Sequence, residues 1–178
     1  MAQRKPRLLD REALWQYALR ALGGRSHSVS ELAEKLRRRA GGDEDVKDVL
    51  SRLKQAGYLD DRRFAQFYAA ARLEGAGLGR MRVLRDLRAK RVAPAVAEQA
   101  VKAAYQEVDE VRLIESFLER KYRRVQLNSH LADPRHMAAA YRKLRLAGFS
   151  SGNSIRVLKR YSEQADELAS IEDEERDS

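Results

Sequence analysis

The chain has no cysteine. That removes disulfides, thiolate zinc sites and cysteine nucleophiles together. It has three prolines and few β-branched runs, a combination that predicts an all-α protein. No apolar run approaches the roughly 18 residues of a membrane span, and the mean hydropathy is −0.66, so no membrane contact is expected. The basic start Met-Ala-Gln-Arg-Lys-Pro meets Asp10 and Glu12 before any apolar stretch, unlike a signal peptide. The cytoplasm is the expected location. Catalytic signatures are missing too. There is no Gly-x-x-x-x-Gly-Lys-Ser/Thr loop, and Gly75, Gly77 and Gly79 follow no strand, so they read as a flexible turn. His130 and His136 are six apart and do not share a helical face as i, i+4 ligands would. With His27 they read as surface histidines. Asp60-Asp61 reads as a helix cap and its neighbour. The expectation is a protein that is not an enzyme and needs no cofactor.

What is present is positive charge, unevenly placed. The whole chain carries +9. Residues 163–178 hold eight acids against one base, Arg176, and the remainder holds 35 bases against 19 acids. The tail is therefore −7 and the body +16. A body this basic is drawn to a polyanion, most simply nucleic acid. The tail is expected to lack structure; it either competes with DNA for the basic face or serves only solubility.

The chain also repeats itself at an offset of 51 residues. Asp10 pairs with Asp61, Tyr17 with Tyr68, Ala18 with Ala69, Leu36 with Leu87 and Arg37 with Arg88. Self-similarity of this length means that one supersecondary unit is reused. Apolar residues at helical spacing then give nine helices in three sets of three. Leu14 and Ala18, Leu32 and Leu36, and Val46, Val49 and Leu53 line the first set. Ala65 and Ala69, Val83 and Leu87, and Ala97 with Val101 line the second. Ile114 and Leu118, Met137 with Tyr141 and Leu144, and Leu158 line the third. Between its first two helices runs a polar stretch, 126–133.

The predicted organisation is an arm over 1–9, three-helix repeats over 10–58, 59–107 and 108–162, and the acidic tail over 163–178. Such units bury little surface alone and are expected to stack into an elongated, curved array.

The binding candidates follow from the basic residues. Arg80, Arg82, Arg85, Arg88, Lys90 and Arg91 crowd the middle helix of the second repeat, opposite Val83, Leu84 and Leu87. Cations are disfavoured at a helix start, so Arg80 and Arg82 call for another reason. Arg37 and Arg38, with Arg39, end the matching helix of the first repeat. Lys121, Arg123 and Arg124 form a further cluster. Tyr17, Tyr68, Tyr122 and Tyr141 fall on apolar stripes and read as core. Trp15 reads as a boundary or partner contact.

Gly57-Tyr58-Leu59-Asp60-Asp61 with Phe64-Ala65 resembles the RecX family of recombination regulators. So does the earlier Arg25-x-x-Ser28-x-x-Glu31-Leu32 with Leu36, and the later Gly148-Phe149 followed by Ile155 and Leu158. The resemblance spans about residues 10 to 161. It implies three tandem three-helix repeats and binding to the RecA recombinase filament, usually to inhibit it. DNA, single- or double-stranded, would be touched through its phosphates by a monomer. Two features depart from the family pattern: Arg91 stands where glycine is common, and the acidic tail is additional. A second reading is a helix-turn-helix or winged-helix transcriptional regulator, from 30–61, which would need a β-hairpin to follow. A third is a helical scaffold for acidic proteins.

Overall fold

A computed structural model describes residues 8–161; the acidic tail and most of the N-terminal arm lie outside them. The described residues form ten α-helices, and the protein is an all-helical repeat array. α1 is Arg11–Gly24, α2 Val29–Arg37, α3 Asp43–Gln55, α4 Asp61–Ala71 and α5 Arg80–Ala89. α6 is Pro94–Ala104, α7 Glu110–Lys121, α8 Leu127–Leu131, α9 Pro134–Leu146 and α10 Ser151–Leu158. No described helix is long and apolar enough to cross a membrane.

Helix starts follow capping chemistry. Asp10 accepts from the Ala13 N–H, and Ser28 and Glu31 form a reciprocal capping box on α2. Asp60 accepts from the N–H groups of Arg62 and Arg63. Asp61 is more than a neighbour of that cap: its Oδ1 accepts from the Val29 N–H, 2.8 Å away, at the start of α2. α3 starts without a side-chain cap. Gly42 takes the cap position, and Asp43, Glu44 and Asp45 sit in the first turn, where they favour the positive end of the helix.

Residues up to Tyr68 together with Asp86–Ala100 form one compact unit. Its α1–α3 core gathers Leu14, Ala18, Leu32, Leu36, Val46, Val49 and Leu53 with Leu59. Leu36 is fully buried, and truncating such a leucine to Ala costs about 2–5 kcal/mol. Ala69–Arg85 together with Val101 onward form the other unit. Its core is built on Ile114, Leu118, Leu131, Met137, Tyr141, Leu144, Phe149 and Leu158. Phe117 meets Phe149 edge-on at 5.4 Å.

Two local expectations change. The stretch after α7 is not simply a polar connection, because Leu127–Leu131 is helical and buries Leu131 completely. The glycine segment is not loose. α4 runs into a π-helical turn, Arg72–Ala76, whose Gly75 and Ala76 carbonyls accept from the Arg120 guanidinium. The Leu78 carbonyl accepts from the Tyr105 hydroxyl at 2.6 Å. Burial pushes that phenol up to about 12, so it remains a donor at any physiological pH.

One junction recurs. The Leu9 N–H donates to the Arg39 carbonyl at 2.7 Å. The Ser28 hydroxyl donates to the Lys90 carbonyl at 2.8 Å. The Gly79 N–H donates to the Ala147 carbonyl at 2.9 Å. Each acceptor lies just past the C-terminus of α2, α5 or α9, where helical carbonyls lack partners.

Candidate nucleic-acid interface

α5 buries Val83 and Leu87 and turns Arg80, Arg82, Arg85 and Arg88 outward. These cations do not form one uniform surface, because their partners differ. Arg82 and Arg85 both donate to the Leu146 carbonyl, at 3.3 and 3.2 Å. The negative end of α9 thus holds two guanidinium groups. This explains arginines at the start of α5 better than that helix itself could. Burial alone would raise the Glu110 carboxyl, but hydrogen bonds from Ser150 and Asn153, with the charge of Arg80, hold it below its ordinary range.

In the other unit, Arg88 meets Glu98 at 3.0 Å and Arg91 meets Glu34 at 2.6 Å, all exposed enough to exchange partners. Lys90 is different. It is only 23% exposed, 2.7 Å from a similarly covered Glu31. Burial alone would raise the Glu31 carboxyl. The hydrogen bonds from Lys90 and the Ser28 N–H, with the charges of Lys90 and Arg25, outweigh it and hold Glu31 below its ordinary range.

The end of α2 gives a second basic site. Arg37 lies 3.6 Å from Asp43, and Arg38 follows as the C-cap. Arg38 lines an open recess with Arg25, Lys35, Arg39 and Tyr17. Glu31 and Glu34 lie on the same wall. Sequence reasoning missed Arg25 and Lys35 here, since neither belongs to a run of like charge. The third site is the end of α7, where Lys121, Arg123 and Arg124 are exposed and have no hydrogen bond or ion pair among the described residues.

The tyrosines meet the expectation of a core role in part. Tyr141 is buried, but Tyr17, Tyr68 and Tyr122 are half-buried. Each carries a cation over its ring: Arg39 5.8 Å from Tyr17, Lys90 5.4 Å from Tyr68, and Lys143 5.0 Å from Tyr122. Arg39 and Lys90 are themselves 51 residues apart, as are Tyr17 and Tyr68, so the repeat reproduces a cation–π pair as well as a stripe. Trp15 is accounted for within the chain, with the Arg52 guanidinium 4.3 Å from its ring centre.

Among the histidines, His136 is exposed as expected and His27 departs from the surface reading. His27 is buried, its Nδ1 2.9 Å from the Arg25 carbonyl. Its Nε2 has no hydrogen-bond partner among the described residues. Burial lowers its pKa from the ordinary 6.5. His130 and His136 stack on each other at 4.1 Å.

These features suit phosphate and aromatic-face contacts at the ends of successive helices. They do not suit a winged helix, because the segment after Gly57-Tyr58-Leu59, where the hairpin should stand, is α4. Known proteins share the three-helix organisation. The pattern described as RecX, first three-helix domain, matches residues 15–53, and that described as RecX, second three-helix domain, matches 60–101. A Deinococcus radiodurans protein named regulatory protein RecX is 34% identical over 85% of this chain and 68% of its own length. One of the same name from Streptomyces coelicolor is 31% identical over 84% and 77%. The crystal structure of RecX from Lactobacillus salivarius shares the fold, with a TM-score of 0.62 at 17% identity, covering 85% of this chain and 96% of that one.

Proposed function

The chain belongs to the RecX family of regulatory proteins, and on that premise we propose that it is a non-enzymatic regulator of homologous recombination and DNA repair. It binds the RecA nucleoprotein filament in the cytoplasm, as a monomer, and inhibits ATP hydrolysis and strand exchange. Its three-helix repeats, 10–58, 59–107 and 108–162, each offer cations at helix ends to the filament's proteins and phosphates. The observation that supports this furthest is the recurring pairing of a half-exposed tyrosine with a cation. A polymer with a repeating backbone charge is met by a repeating array of positive groups.

The test is RecA-dependent ATP hydrolysis on single-stranded DNA, titrated with this protein and with Lys121/Arg123/Arg124→Ala. These three positions are preferable to Arg82 and Arg85, whose guanidinium groups also hold the end of α9. Inhibition by the wild type and weaker inhibition by the variant are expected. Unchanged hydrolysis at saturating wild-type protein would defeat the proposal.

A further inference from the structure

Three rings from three separate elements gather in one unit. Tyr122, the C-cap of α7, lies 5.2 Å from His130 on α8, its ring tilted by 45°. His130 lies 4.1 Å from His136, near the start of α9, with the two imidazoles within 13° of parallel. The cluster runs from half-buried Tyr122 and His130 out to exposed His136. Rings that only filled a core would be covered on every side. Here the last ring is presented to solvent.

The support beneath the rings is firm. Fully buried Leu131 fixes α8 one residue after His130. Asp133 Oδ1 accepts from the N–H groups of Arg135 and His136, at 2.7 and 3.3 Å, and so sets the backbone of His136. Lys143 Nζ donates to the Tyr122 hydroxyl at 3.2 Å and lies over the same ring. Exposed cations flank the rings in the chain: Lys121, Arg123 and Arg124 around Tyr122, and Arg135 beside His136.

We propose that Tyr122, His130 and His136 form a platform on which one base of single-stranded DNA stacks, with the neighbouring cations taking the flanking phosphates. This rests on the nucleic-acid half of the function proposed above and gives it a location. An aromatic face beside clustered positive charge recognises a single strand, because every base offers a π-face that duplex stacking would hide. It predicts little sequence preference, since no base edge need be read.

The experiment compares the affinity of the full chain for a fluorescent oligothymidylate and for an oligonucleotide of equal length whose sites are all abasic. Wild-type protein should prefer the intact strand several-fold. His136→Ala should weaken intact-strand binding about fivefold, the low end for one stacked base, and leave abasic binding and the salt slope unchanged. His136→Phe, which restores a ring, should restore the preference. Equal binding of the two strands by wild type, or an intact-strand affinity untouched in His136→Ala, would overturn the platform. Failure to bind either strand would overturn both the platform and the nucleic-acid half of the functional reading, whereas inhibition of RecA is scored separately and can survive either result.

Discussion

The backbones of Gly79 and Gly148 lie in direct contact. A Cβ on Gly79 would stand 2.3 Å from the Gly148 carbonyl carbon, and one on Gly148 would stand 2.1 Å from the Arg82 nitrogen. Gly79 donates to the Ala147 carbonyl and Met81 to the Gly148 carbonyl. Two helix ends are thereby joined main chain to main chain, with no room for a side chain at either position.

Gly79→Ala should therefore destabilise the protein by about 1–3 kcal/mol, the usual range for overpacking. Gly148→Ala should cost more, because Gly148 also holds φ +91, which L-residues rarely adopt. Gly152→Ala, with nothing within 4 Å of its added carbon, is the control. Urea midpoints of the three variants check this.

Arg91 is the one described non-glycine residue with positive φ, at 56°. The left-handed conformation costs such a residue about 1–2 kcal/mol. Arg91→Gly removes that cost and loses the Arg91–Glu34 pair, exposed at 67% and 44%, which is worth under about 1 kcal/mol. The larger flexibility of glycine in the unfolded chain offsets part of the gain. The expected result is a melting temperature that is unchanged or a few degrees higher. A large fall would mean that the Glu34 pair outweighs the backbone term.

Lys90→Ala should cost about 1–3 kcal/mol, as loss of a charge-assisted bond in a mostly covered site does. Arg88→Ala, whose partner Glu98 is 58% exposed, should cost under about 1 kcal/mol. Glu31 is held below its ordinary 4.5. Its contribution is present above that pH and fades as pH falls through the lowered folded-state value. Acid titration of stability should lose part of its slope below pH 4.5 in Glu31→Gln.

His27 titrates earlier. Its pKa is lowered in the folded chain by burial, against an ordinary 6.5. Below 6.5 the unfolded chain binds a proton that the folded chain resists, so stability falls as pH drops. The decline should level off below the folded-state pKa. Stability measured from pH 8 to 5 should decline in the wild type and stay flatter in His27→Phe, whatever the absolute stability of the variant.

Much of the fold was legible because burial recurs at helical spacing. Ala18 and Ala69, and Leu36 and Leu87, are all fully buried, as equivalent positions of one reused unit should be. α8 was not legible: five residues with no side-chain cap are too few to display a period. Nor were the partners of Arg82 and Arg85, which are a main-chain carbonyl more than 60 residues away and leave no side-chain signal. The stacked histidines escaped for a related reason. His130 and His136 share no helical face, and only the turn between α8 and α9 folds one ring onto the other. The tyrosine stripes were legible as helical and as core for Tyr141, while Tyr17 and Tyr122 pack against the core from its border; their cation contacts were not legible, since an amphipathic ring at that border serves both the interior and a cation.

The carbonyls of Arg39, Lys90 and Ala147 accept from three unlike donors: the amide of a leucine, the hydroxyl of a serine and the amide of a glycine. A joint whose fixed half is main chain tolerates mutation in a way that a matched pair of side chains does not. Drift after an ancestral duplication could erase most of the identity between copies and still leave each of these carbonyl joints able to form. Gain or loss of a copy would then change the length of the array without requiring a new interface to evolve.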